Sequence, residues 1–81
     1  MAPKNIRLFL KPWCPWCQEA VAWLNERKIA YEGIDVTADR NAAREMIDLT
    51  KQTKAPVIQV DGEILADFDV AQLAEFWKRF N

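Results

Sequence analysis

The sequence predicts an α/β fold with the element order β-α-β-α-β-β-α, a four-stranded mixed sheet with helices on both faces. Three observations lead there. In the first half, short apolar runs alternate with segments of helical period, the pattern of a strand-helix-strand crossover with two parallel strands. In the second half, Asp61-Gly62 stands between Val57-Ile58-Gln59-Val60 and Glu63-Ile64-Leu65, a strong two-residue hairpin signal. Asp69 followed three residues later by Gln72 then has the form of a capping box opening a last helix.

The elements follow in chain order. Ile6-Arg7-Leu8-Phe9-Leu10 reads as a largely buried first strand. Pro12 and Pro15 interrupt it, and Pro15 suits the first turn of a helix, where its missing N–H has no partner to lose. That helix is expected over 15–27, with Cys17, Ala20, Val21 and Leu24 on one face and Trp16, Ala20 and Trp23 on an overlapping stripe. Residues 30–36 read as the second strand. Thr37 or Asp39 is placed to cap a second helix whose apolar face is Ala43, Met46, Ile47 and Thr50. The last helix presents Val70, Leu73, Trp77 and Phe80, widened by Phe76. The first and third helices are expected on one sheet face and the second on the other. No internal repeat or linker is visible, and 81 residues leave room for one domain, residues 1–81.

Composition narrows the function classes. A net charge of −1 and a pI near 5.3 give no support for nucleic-acid binding, which usually needs a basic face. Lys and Arg are dispersed, so an anionic membrane surface is not an expected partner. The N-terminal stretch has no apolar run of leader length before charge interrupts it, and nothing approaches a membrane span. The expected location is therefore cytoplasmic.

The chemistry is concentrated in Trp13-Cys14-Pro15-Trp16-Cys17, which contains both cysteines of the chain. In a reducing compartment such a pair is more often catalytic or metal-binding than a permanent staple. Structural zinc takes four Cys or His ligands, and this chain offers two cysteines and no histidine. A complete metal site would need a second chain. A permanent disulfide across one helical turn closes a very short loop and stabilises little, and Cys-His catalysis is excluded by the missing histidine. A reactive dithiol fits better. Cys14 is expected just outside a helix N-terminus, where unpaired N–H groups and the dipole favour an anion, and Lys11 adds positive charge. Cys17, one turn inside, is expected to be more buried. That asymmetry suits attack by Cys14 and resolution by Cys17. Trp13 and Trp16 would flank the sulfur as an apolar platform.

With Lys11-Pro12-Trp13-Cys14-Pro15-Trp16-Cys17, the Ala55-Pro56 step, the Asp61-Gly62 hairpin and the capped last helix, the chain resembles a dithiol glutaredoxin over nearly its whole length. The resemblance implies a thioredoxin-like fold and thiol-disulfide oxidoreductase activity on protein disulfides or glutathione mixed disulfides. No bound cofactor is expected, glutathione would be the electron donor, and the protein would be a monomer. Cys14 would be the nucleophile and Cys17 the resolving thiol. Lys11 would meet the glycyl carboxylate of glutathione, Trp16 would replace the usual tyrosine, and Pro56 would be the cis-proline beside the site. The Ala55 main chain would pair with substrate as a strand does.

The chain also departs from the family pattern. The family's Gly-Gly pair and following acidic step correspond here to Leu65-Ala66-Asp67-Phe68-Asp69. Phe68 stands where the family aspartate would meet the γ-glutamyl ammonium, and Asp67 brings negative charge toward the γ-glutamyl carboxylate. Both changes are expected to weaken glutathione binding. A phenylalanine there resembles the glutaredoxin-like redoxins that take electrons from thioredoxin reductase and serve ribonucleotide reductase, which gives an alternative donor and partner. A further alternative, from another class, is a non-catalytic module in which paired Cys14 thiolates bridge two chains through a metal or an iron–sulfur cluster. Pro15 stiffens the turn and argues against the cluster.

Overall fold

The computed structural model describes residues 5–80; residues 1–4, which begin the stretch read above for a leader, lie outside them, as does residue 81. The elements are β1 (Ile6–Leu10), α1 (Pro15–Glu26), β2 (Glu32–Asp35), α2 (Arg40–Thr50), β3 (Val57–Val60), β4 (Glu63–Ala66) and α3 (Val70–Trp77), with a closing 3-10 turn at Lys78–Phe80. The sheet order is β2-β1-β3-β4, β1 running parallel to β2 and antiparallel to β3, and β3 antiparallel to β4.

Alternation along β1 and β3 divides the core in two, because successive strand residues face opposite sides. Leu8, Ile58 and Val60 pack with Ala20 and Leu24 of α1 and Leu73 and Phe76 of α3. Phe9 and Val57 turn the other way, toward Val36 and α2's Ala42 and Met46. The expected placement of the helices is what the chain adopts. Two helical faces differ from expectation. On α2 the buried residues are Ala42 and Met46, with Ala43 and Leu49 at the margin, while Ile47 is 40% exposed. The seam thus runs Ala42-Met46-Leu49, rotated from the expected one so that small Ala42 lies against the sheet. On α3 the centre of the stripe is Leu73 and Phe76, whereas Trp77 and Phe80 lie at its edge in an aromatic group with Trp23. The second strand is shorter than expected and ends before Val36.

The caps explain where helices begin. Asp39, not Thr37, caps α2 by accepting from the Asn41 and Ala42 N–H groups, and Thr37 instead bonds Asp35. Asp69 and Gln72 make the reciprocal capping box of α3 at 2.8 and 2.9 Å. One polar tie crosses from sheet to helix: Arg7 on β1 forks onto both carboxylate oxygens of Glu45 on α2 at 2.7 Å and reaches Gln59, its cross-strand neighbour, at 3.0 Å. The Glu45 bond raises the Arg7 pKa, and Arg7 in turn holds the Glu45 carboxyl below its ordinary value. Both side chains are partly exposed, so the pair contributes on the order of 1 kcal/mol, orienting α2 more than stabilising it.

Among the described residues, four other than glycine take left-handed backbone: Lys28, Lys51, Asp61 and Asp67, with φ of 57°, 59°, 56° and 52°. In the β3–β4 turn this conformation falls on Asp61, and Gly62 does not use it. Asp61 also exchanges two 2.8 Å hydrogen bonds with the main chain of Asn5, which hold the turn against the start of β1. Lys51 ends α2 in the position usually given to glycine. Lys51→Gly is therefore expected to raise stability by up to about 1 kcal/mol, relief of side-chain crowding exceeding the entropy cost. Gly62→Ala, whose new Cβ meets nothing within 4 Å, is expected to be neutral or mildly stabilising. Urea unfolding of the two variants measures both effects, and a destabilised Lys51→Gly would contradict this account of the helix end.

Candidate active site

The β1–α1 loop is short because two turns of hydrogen bonding close it. Cys14 N–H donates to the Lys11 carbonyl at 3.1 Å, and the Gln18 side chain returns from α1 to the Pro12 carbonyl at 2.8 Å. Cys14 is left as the N-cap of α1 in extended conformation, with Pro15 as the first helical residue. Where a cap residue usually presents an oxygen, Cys14 presents sulfur: its Sγ accepts the Cys17 N–H at 3.2 Å. The two cysteines are thus held together by the geometry of the first helical turn.

Their surroundings differ. Cys14 is partly exposed, while Cys17 is 1% exposed beneath it. Burial pushes the Cys17 thiol up to about 12, aided by its bond to Cys14 and opposed by the Lys11 backbone N–H and ammonium. Trp13 and Trp16 are 69% and 48% exposed, the most open aromatic surface among the described residues. Both therefore stand at the surface beside Cys14 in sequence, as the platform reading requires.

A second loop faces the first. The Ala55-Pro56 peptide is cis, Pro56 is buried, and the Ala55 carbonyl lies 3.9 Å from Cys14 Sγ, a long contact that the thiol donates to. The Lys11 ammonium bonds the Thr53 carbonyl at 3.3 Å, so the expected anion-binding lysine is tethered to this loop. Asp67 joins from a third segment, its N–H donating to the Pro56 carbonyl at 2.9 Å while its side chain is exposed. Lys11, Cys14, Cys17, Ala55, Pro56 and Asp67 are thereby connected across three segments far apart in sequence.

Phe68 is placed differently from the reading that set it toward a ligand. It is 1% exposed and belongs to the core shared by α1, α3 and the sheet. It follows directly on the left-handed Asp67, which stays exposed while Phe68 is buried. Thr53 and Gln52 are participants that sequence reading missed. One contributes a main-chain carbonyl and the other a local amide bond, and neither leaves a motif. Two shallow grooves among the described residues, one between β4 and α3 at Leu65, Gln72 and Phe76 and one at Asn5, Arg7 and Tyr31, do not include Cys14. The chemistry sits on an open surface. Among the described residues no group of three or more Cys, Asp or Glu side chains is placed to hold a metal ion.

This arrangement has recognisable relatives. The glutaredoxin family model matches residues 6–65, a span that holds both cysteines and the cis-proline and ends before Asp67 and Phe68. An uncharacterised glutaredoxin-like 8.6 kDa protein in the rubredoxin operon of Clostridium pasteurianum is 34% identical over 68 residues, covering 84% of this chain and 91% of that protein. Glutaredoxin 3 of Escherichia coli is 25% identical over 65 residues, covering 80% of this chain and 78% of that protein. The crystal structure of a thioredoxin-like protein superposes with a TM-score of 0.80 at 28% identity, covering 88% of this chain and 97% of that one. A capped dithiol facing a cis-proline on a thioredoxin-like sheet, matched over this span, means that the chain belongs to the glutaredoxin family.

Proposed function

We propose that this protein is a dithiol oxidoreductase that reduces protein disulfides or glutathione mixed disulfides, with Cys14 as nucleophile and Cys17 as resolving thiol. The observation that carries the reading is the asymmetry of the pair: a partly exposed Cys14 at the helix cap, whose sulfur accepts the Cys17 N–H at 3.2 Å, and a buried Cys17. Cys14, as thiolate, attacks one sulfur of the target disulfide. The target S–S bond breaks, one sulfur leaves as a thiolate that takes a proton from solvent, and Cys14 is joined to the other sulfur. Cys17 then releases its proton and attacks Cys14 Sγ, forming the Cys14–Cys17 disulfide and freeing the second thiol. The cysteine pair gives up two electrons and the Cys17 proton, the target disulfide gains the two electrons, and solvent supplies the second proton of its two thiols.

The order of attack follows from burial. A thiol raised to about 12 is almost wholly protonated at neutral pH and does not compete with Cys14 for incoming disulfides. Once Cys14 is in a mixed disulfide, its charge and hydrogen bond no longer oppose Cys17 ionisation, so resolution becomes easier only after capture. In the resting state the neutral Cys17 also contributes to stability. Its folded pKa lies above its unfolded one, so this contribution is complete below about pH 9 and is lost as pH rises toward 12.

Two molecules of glutathione can return the disulfide to the dithiol, leaving glutathione disulfide. This donor is supported by the family match and by Lys11, held beside the cis-proline loop. A second reading, in which thioredoxin reductase supplies electrons and ribonucleotide reductase receives them, is favoured by one observation. The turn after β4 carries the exposed Asp67 carboxylate beside the cis-proline, where negative charge opposes the γ-glutamyl carboxylate of glutathione.

Three outcomes are expected. Cys14→Ser reduces disulfide exchange to background, while Cys17→Ser accumulates a mixed disulfide visible by intact mass; full activity in Cys14→Ser would end the assignment. Asp67→Gly, which removes the carboxylate and relieves the left-handed backbone, raises the glutathione-coupled rate severalfold and leaves any thioredoxin reductase-coupled rate unchanged. Coupled NADPH oxidation with each reductase reads both. Finally, the urea midpoint of the reduced protein falls more steeply from pH 9 to 11 than that of Cys17→Ala, and identical slopes would show that Cys17 is not raised by burial.

A further inference from the structure

The segment that faces Cys14, residues 51–56, lies between α2 and β3 and is outside any helix or strand. Its conformation is nevertheless specified, and by one half-buried side chain. The Gln52 carboxamide accepts from the Lys54 N–H through Oε1 and donates from Nε2 to the Lys54 carbonyl at 2.9 Å. Both main-chain groups of Lys54 are thus paired, as a neighbouring strand would pair them. The same Nε2 lies 3.2 Å from the Thr50 hydroxyl, which donates to the Met46 carbonyl at 2.7 Å in the last turn of α2. A continuous chain of hydrogen bonds therefore runs from the end of α2 through Thr50 and Gln52 to Lys54.

Lys54 is flanked by the two groups that the site uses. The preceding Thr53 carbonyl receives the Lys11 ammonium at 3.3 Å, and the following Ala55 carbonyl lies 3.9 Å from Cys14 Sγ. A peptide flip or a slip at Lys54 would displace both. The end of the segment is already held, because the Pro56 carbonyl accepts the Asp67 N–H. Gln52 supplies the corresponding hold at the start.

We infer that Gln52 is a positioning residue for substrate: its carboxamide sets the main chain at Lys54 so that the Ala55 edge is presented to a disulfide engaged by Cys14. The inference rests on the reading of Cys14 as a disulfide-exchange nucleophile but assigns a role that this reading does not contain. A carboxamide is needed because one group must accept from N–H and donate to C=O at once. Glutamate keeps the shape and the acceptor but sets a carboxylate oxygen against the Lys54 carbonyl. Gln52 touches neither sulfur, so its loss acts on binding and leaves the intrinsic reactivity of Cys14 unchanged.

The test compares wild type, Gln52→Ala and Gln52→Glu with a glutathionylated peptide as substrate and with iodoacetamide, a reagent small enough to react at Cys14 without the loop. Both variants should raise KM for the peptide on the order of tenfold, the scale expected for the loss of two neutral hydrogen bonds, with kcat and the alkylation rate within twofold of wild type. Amide hydrogen exchange provides a readout independent of turnover: the Lys54 N–H should exchange at least tenfold faster in Gln52→Ala, while amides in the middle of α2 keep their protection. Unchanged Lys54 exchange overturns the inference whether or not the wild type turns over. So does faster exchange with an unchanged KM, or an equal fall in kcat and alkylation rate, which would mark general damage to the site. A wild type that alkylates but never reduces the peptide would refute the functional reading instead, and the exchange result would still decide whether Gln52 holds the segment.

Discussion

A sulfur atom caps α1, and the rest of the site depends on that placement. Helix caps are ordinarily oxygen from Ser, Thr, Asp or Asn, which satisfies an N–H that the helix leaves open. In this chain Cys14 does that work and is the proposed nucleophile as well. The same bond that begins the helix, from Cys17 N–H to Cys14 Sγ, brings the two cysteines together. Pro15 starts the helix with no donor of its own, so no N–H at that position competes for the sulfur. Helix initiation and dithiol geometry are a single structural event.

The cap alone would leave a cysteine pair on an open surface. Packing creates the difference between the two sulfurs, because α1 lies on the sheet through Ala20 and Leu24 and carries Cys17 inward with them. The opposite face uses different means. There Ala42 and Met46 bury against Phe9 and Val57, and the Arg7–Glu45 fork sets the orientation of α2. That orientation reaches the site, since the end of α2 leads into the segment carrying Thr53, Ala55 and the cis-proline. The front of the site is thus built from the first helix and its back from the second, with β1 and β3 between them.

The turn after β4 shows how one fold accommodates departures from a family pattern. A left-handed residue is required there for the chain to leave the sheet edge and enter α3. Glycine adopts that conformation without strain, and aspartate is among the side chains that tolerate it. Asp67 takes that conformation, donates its N–H to the Pro56 carbonyl and presents an exposed carboxylate beside the site. Phe68 has moved into the core, where it fills space between α1 and α3.

Much of this was legible in the sequence because it depends on local rules. Apolar periodicity gave the strands and helices, Asp69 marked a helix start, Thr37 or Asp39 bracketed another, and Cys14-Pro15 located a cysteine at a helix N-terminus. The seam of α2 was not legible, since Ala42 and Ile47 compete for the sheet and the outcome depends on how closely the backbone can approach. The hairpin at Asp61-Gly62 was legible, but which of its residues takes the left-handed conformation was not, and it is the aspartate. The sequence by itself determined that two cysteines stand one helical turn apart behind a proline. Only the tertiary structure decided how completely the core seals Cys17, that Lys11 binds the Thr53 carbonyl, that Phe68 faces inward and that Gln52 holds Lys54. These contacts join segments through packing, main-chain carbonyls and turn geometry, none of which residue identity alone can reveal.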